Sequence, residues 1–118
     1  MRQKLVYNLK NSLLKANILY KKYSDFEDLY DEVNKAIGRT SGIGRTMLYD
    51  ITRMIGYFHS IYPDKYVYLH AGAKKGAKKV LRKQRLPYKL DTRVFANDFP
   101  KEDSMYIEDI LCIFKDKF

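Results

Sequence analysis

An all-α fold is what this sequence predicts, and three observations predict it. Apolar residues recur at three- and four-residue steps along most of the chain. Caps and stops fall between those runs. No stretch carries the strong two-residue alternation of a half-buried strand. The 118 residues, 46% hydrophobic and 14% aromatic, suit a single compact domain over 1–118 with about five helices and one core.

The first helix is expected from about residue 2 to 22, where Leu5, Leu9, Leu13, Ala16 and Tyr20 share one face and Lys and Asn stand between them. Ser24, with Glu27 three residues on, reads as a capping box. A second helix over 25–37 then buries Phe26, Leu29, Val33 and Ile37, and Gly38 stops it by taking the left-handed conformation of a helix end. The third helix starts near Gly44 or Arg45, turns Leu48, Ile51, Ile55 and Phe58 inward, and ends before Pro63. Residues 66–69, YVYL, read either as a short extended lead-in or as the first turn of the next helix. That fourth helix is expected over roughly 70–85, before Pro87. A fifth, from about Ser104 to Lys115, buries Ile107, Ile110, Leu111 and Phe114.

The charge is unevenly placed. Between His70 and Arg93 lie nine basic residues and one acid, Asp91, so this stretch carries +8 of the chain's net +9. A field of one sign points to a polyanion, nucleic acid before anionic lipid. In the fourth helix, Gly72 and Gly76 are four apart, as are Ala73 and Ala77, which lets another helix backbone approach. Lys74, Lys78 and Arg82 form one basic row and Lys75, Lys79 and Lys83 a second. Like charges four apart repel by a few tenths of a kcal/mol per pair, a penalty that phosphates would remove. A solvated lysine face is the plain alternative. The Gly and Ala of the opposite face do not suit a membrane-surface helix. No apolar run nears the eighteen or so residues of a membrane span.

Lys10 and Lys15 interrupt the stretch a signal peptide would need. The single cysteine, Cys112, cannot form an internal disulfide, and a reducing, cytoplasmic home is expected. Its apolar neighbours predict a buried thiol.

Residues 40–46, TSGIGRT, raise the functional question. A helix, a turn holding Gly42-Ile43-Gly44 and a second helix resemble the helix-hairpin-helix motif of DNA-binding proteins, here over 26–60. In that family the amides opening the second helix hold a DNA phosphate. The first amides of any helix lack internal partners and carry partial positive charge, glycine clears the approach, and Arg45 and Thr46 would add a guanidinium and a hydroxyl. A tight corner between two packed helices is the structural alternative.

The order SGIGRTMLYDI, Pro63, Val67-Tyr68-Leu69-His70 is also similar to that of the helix-hairpin-helix DNA glycosylases, over roughly 26–82. The family's catalytic carboxylate falls on Tyr68 and its lysine nucleophile on Thr46, so the resemblance implies binding without base excision. Thr40-Ser41 replaces the usual Leu-Pro, and the hairpin is longer. The stretch YVYLHAGAKKGAKKVL also resembles one in uncharacterised bacterial proteins, which carries no activity.

Nothing else points to catalysis. His59 and His70 with one cysteine make no tetrahedral His/Cys metal set, no dinucleotide or P-loop pattern is complete, and no nucleophile stands beside an evident base. His59 reads as a core-edge residue and His70 as a cap or phosphate contact. The acidic row Asp25, Glu27, Asp28, Asp31 and Glu32 reads as a solvated face. The expectation is a non-enzymatic protein with no cofactor, binding duplex DNA through phosphates. Its contacts are Gly42, Ile43, Gly44, Arg45, Thr46, His70, Lys74, Lys75, Lys78, Lys79, Arg82 and Lys83. The alternatives are an assembly module whose basic helix meets an acidic surface, that of a second copy in a homo-oligomer included, and a degenerate glycosylase relative that still recognises a damaged base.

Overall fold

The computed structural model describes residues 2–100 and 102–118. Among these the chain is mostly helical, with five α-helices and one two-stranded antiparallel sheet. None of the helices is long and apolar enough to cross a membrane. Two compact units, Met1–Tyr62 and Pro63–Phe118, divide it, and each has an apolar cluster of its own.

In the first unit, α1 (Arg2–Lys15) is shorter than its periodicity suggests. Asn17 takes a left-handed conformation, φ 58°, and the chain continues as a 3-10 turn over Ile18–Tyr20. Asn is among the few side chains that tolerate this region, so the helix ends there and Tyr20 swings out to solvent. Leu9, Leu13 and Ala16 do pack on the core.

Helix α2 (Phe26–Ile37) buries Phe26, Leu29, Val33 and Ile37, the four residues its spacing selects. Its cap sits one residue later than Ser24. Asp25 accepts from the Asp28 amide at 2.8 Å, and the Asp28 carboxylate accepts from the Ser24 amide at 3.0 Å. Part of the acidic row is thus capping machinery, and Glu32 pairs with Lys21 and Lys35. Gly38 is right-handed, φ −62°, so it is not the left-handed stop that was expected; the positive φ of this connection belongs to Gly42, at 91°.

Helix α3 (Arg45–His59) buries Leu48, Tyr49, Thr52, Ile55 and Gly56. Phe58, expected inside, is largely exposed. The inward arc has rotated toward Tyr49, whose ring meets Phe26 edge-on at 5.8 Å. Ser60 ends the helix in the left-handed region, and the Ile61 amide bonds back to the Gly56 carbonyl at 2.8 Å. His59 is half-buried at the edge, with T-shaped contacts to Tyr23 and Phe58.

The second unit opens with β1 (Tyr66–Tyr68), the extended alternative for YVYL, paired with β2 (Lys89–Asp91) in the register Tyr66↔Asp91, Val67↔Leu90 and Tyr68↔Lys89. Helix α4 (Ala71–Leu81) stops four residues short of Arg85 because Arg82 turns left-handed, φ 55°. The Arg82 amide then reaches the Lys79 carbonyl and the Lys83 amide the Lys78 carbonyl, a paired closure of the helix end. Helix α5 (Ser104–Ile113) buries Ser104, Ile107 and Leu111. Phe114 lies past the helix end and is exposed, and Ile110 is only partly covered.

The small residues of α4 meet α5. A Cβ at Gly76 would stand 3.0 Å from Leu111 Cα and closer to its carbonyl, and one at Gly72 would stand 2.5 Å from Cys112 Sγ. Ala73 and Ala77 are buried between them. Cys112 itself is exposed, against the expectation of a buried thiol. It lies one residue from the end of α5, on the margin of this contact and outside the buried line of Ile107 and Leu111.

Candidate nucleic-acid interface

The turn and the basic helix belong to different units and are taken one at a time. In the turn, Thr40 donates to the Ile37 carbonyl and Ile43 to the Thr40 carbonyl, which folds the connection back on α2. Ile43 packs on the first unit's core and anchors the corner. Gly42 needs to be glycine, since φ 91° is strained for any other residue. Gly44 does not. It caps α3 in an extended conformation, φ −96° and ψ 177°, that any residue adopts. Nothing lies within 4 Å of where its Cβ would be.

That contrast bears on the choice between corner and anion site. Packing explains Gly42 and Ile43, but neither packing nor backbone strain explains Gly44. The N-cap, Gly44, offers no side chain to the first amides of α3, and no acid stands in its first turn. Gly44, Arg45 and Thr46 are exposed. The residues that open α3 thus stand in solvent, where an approaching anion meets them.

The basic helix is less simple than two clean rows. Because α4 ends at Leu81, Arg82 and Lys83 project from the terminal turn instead of continuing the rows. Both are exposed, as are Lys75 and Lys79, whereas Lys74 and Lys78 are half-buried. Two of the cations already have partners. Lys75 Nζ lies 2.8 Å from Asp116 Oδ1, and Lys79 Nζ donates to the Lys115 carbonyl at 2.6 Å. The Lys75 ammonium holds the Asp116 carboxyl below the usual carboxylate range, chiefly through that hydrogen bond. No spacing rule in the sequence signals this closure by the residues after α5.

His70 occupies the N-cap position of α4 without making a side-chain cap. Its Nε2 is 2.9 Å from the Tyr88 hydroxyl and its Nδ1 is 3.5 Å from Glu108 Oε1. Side-chain exposures of 14% for His70 and 12% for Glu108 make this an internal strut joining α4, α5 and the approach to β2. It is not an outward phosphate contact. Tyr88 also meets the buried Tyr68 ring edge-on at 5.7 Å. Sequence reasoning missed Tyr88 and Glu108, which lie 18 and 38 residues from His70 and share no motif with it.

Asp91, the lone acid of the basic stretch, is neutralised locally. It accepts from the Arg93 amide at 2.9 Å and from the guanidinium at 3.0 and 2.8 Å. The side-chain bonds from Arg93 lower its carboxyl to about 2. Lys89 Nζ lies over the Tyr66 ring at 4.5 Å, a cross-strand cation–π contact. Among the described residues, no group of three or more His, Cys, Asp or Glu side chains is arranged to hold a metal ion.

Comparisons of this chain with protein-family models, with curated proteins and with solved structures find no match.

Proposed function

We propose that this protein is a non-catalytic nucleic-acid-binding protein that holds duplex DNA by its backbone phosphates. The observation that carries the reading is the charge of α4 and the strand region after it. This stretch keeps +8 of a net +9, and Lys75, Lys79, Arg82 and Lys83 stand in solvent while the Gly–Ala face of the helix is packed on α5. The two cations tied near the C-terminal end do not close the site. An exposed pair such as Lys75–Asp116 is weakened by solvent, and a phosphate, with several acceptor oxygens, competes with it for the ammonium.

The α2–turn–α3 unit is read as a helix-hairpin-helix-like clamp. Gly42, Ile43 and Gly44 shape the turn, and the amides that open α3, with Arg45 and Thr46, take a further phosphate. The unexplained Gly44 and the exposed helix start support this part. Little base reading follows from such contacts. With one unpaired thiol, the protein suits a reducing compartment such as the cytoplasm.

Anisotropy titration of labelled duplexes tests the reading. Replacing Lys74, Lys78, Arg82 and Lys83 by Ala should weaken binding at least tenfold, and equally for unrelated sequences. Unchanged affinity, or a loss confined to one sequence, overturns it.

One observation favours a second reading. Lys75 and Lys79 already donate to a carboxylate and a carbonyl of the residues after α5, as a basic helix docking an acidic protein surface would. Light scattering that finds a salt-sensitive oligomer, with no duplex binding, would favour that assembly module.

A further inference from the structure

In the Met1–Tyr62 unit, α1, the 3-10 turn and α3 enclose an apolar groove of about 390 Å³, lined among others by Val6, Leu9, Leu14, Tyr20, Ile51 and Ile55. Large apolar side chains stand in solvent around it. Tyr7, Tyr20 and Phe58 are 64%, 78% and 68% exposed. At about 150–250 Å² per aromatic side chain, these three alone leave about 400 Å² uncovered. Val6, Leu14, Met47 and Met54 are exposed as well, and contiguous apolar patches of this order mark interaction sites.

The pattern is ordered. Met47, Ile51, Met54 and Phe58 recur at steps of four, three and four, which places them in one line along α3. This is the rotation reported above: α3 has a buried arc through Leu48, Thr52 and Ile55 and a second apolar line beside it. A helix with two apolar lines has two partners to meet, and the unit supplies one.

We infer that this groove receives an amphipathic helix of a partner protein whose apolar stripe is flanked by acidic residues. Shape argues for a helix. A concave apolar channel takes the ridge of side chains that a helix projects at i, i+3 or i+4 and i+7. Charge argues for acidity. The α1 wall carries Lys4, Lys10 and Lys15 and no acid. Lys10 lines the groove itself, and Lys4, Lys10 and Lys15 meet no carboxylate among the described residues. The same charges disfavour a second copy, because pairing α1 with α1 would oppose two wholly basic helices. The site does not depend on the nucleic-acid reading.

The test is fluorescence anisotropy of the full chain with two labelled 18-residue peptides sharing one Leu stripe, one with Glu and the other with Lys at the flanking positions. The Glu peptide should saturate in the micromolar range and bind at least tenfold more tightly than the Lys peptide. Leu14→Glu and Met54→Glu, both at exposed positions, should each weaken it at least tenfold with unchanged circular dichroism. Amide shifts on binding should centre on Val6, Leu14 and Ile51. No saturable binding, equal binding of the two peptides, or indifference to both variants overturns the inference. So does uptake by phosphatidylserine-containing vesicles without peptide binding, or a dimer that Leu14→Glu dissolves.

Discussion

Replacing Gly44 by Asp separates folding from binding at the position the structure leaves unexplained. Gly44 caps α3 with φ −96° and ψ 177°, and a Cβ there meets nothing within 4 Å, so the substitution strains no backbone. An Asp at an N-cap accepts from one of the unpaired amides of the first turn and stands at the positive end of the helix dipole. Relative to Gly, the capping gain is a few tenths of a kcal/mol. For a domain of this size that is about 1–4 °C in Tm. The same carboxylate occupies the place of a phosphate oxygen. Losing the charge-assisted bonds of one phosphate, about 1.5–3 kcal/mol, should weaken duplex binding by roughly ten- to a hundredfold. Differential scanning fluorimetry and duplex anisotropy on the same preparation measure both. A variant that is more stable and binds less is the predicted result. A more stable variant that binds duplex as tightly as the parent would refute the role given to these amides, and Gly42-Ile43-Gly44 would be a corner only.

The remaining expectations concern α4 and the strand region. Gly76→Ala gains about 1 kcal/mol of helix propensity, but its Cβ would press on the Leu111 backbone. Overpacking of this kind costs about 1–3 kcal/mol, so thermal melting should show no gain or a net loss of about 1–2 kcal/mol. Asp116→Asn frees Lys75 from its 2.8 Å partner and removes a negative charge, so duplex affinity should rise up to a few-fold in a low-salt titration. Tyr88→Phe removes the hydroxyl facing His70 Nε2, with an expected loss of about 1 kcal/mol by urea denaturation. The Asp91 carboxyl titrates in the folded chain at about 2, below its ordinary 3.8. The stability it contributes is therefore complete above about pH 4 and lost as pH falls toward 2. Asp91→Asn should flatten the acid limb of stability in that window and leave the neutral region unaffected by titration.

The helices were readable where burial follows one period. In α2, Phe26, Leu29, Val33 and Ile37 are four inward residues and all four are buried, because one face meets one core. In α3 the same reasoning misplaced Phe58, since two apolar lines run side by side and period alone does not say which is covered. Helix ends were less legible. Asn17, Ser60 and Arg82 take left-handed conformations; residue type favours this for Asn17 but not for Arg82, and Gly38, the residue it favours most, stays right-handed. Strand β2 is three residues, Lys89–Asp91, too short to alternate, and its definition comes from β1 more than twenty residues earlier. The Gly72–Gly76 spacing did foretell the close approach of α5. At the candidate site, the start of α3 at Arg45 was legible from its glycines. The engagement of Lys75 and Lys79 by the residues after α5, and of His70 by Tyr88 and Glu108, was not, because these partners are 18 to 41 residues away and follow no local spacing.

The salt dependence of duplex affinity bears most directly on whether these cations and amides hold phosphate. Each phosphate neutralised contributes a log–log slope of about −0.9. A grip by the exposed Lys75, Lys79, Arg82 and Lys83, roughly four phosphates, predicts a slope of about −3.6 between about 50 and about 200 mM salt. A slope near zero, or no measurable binding at the lower salt, would contradict it.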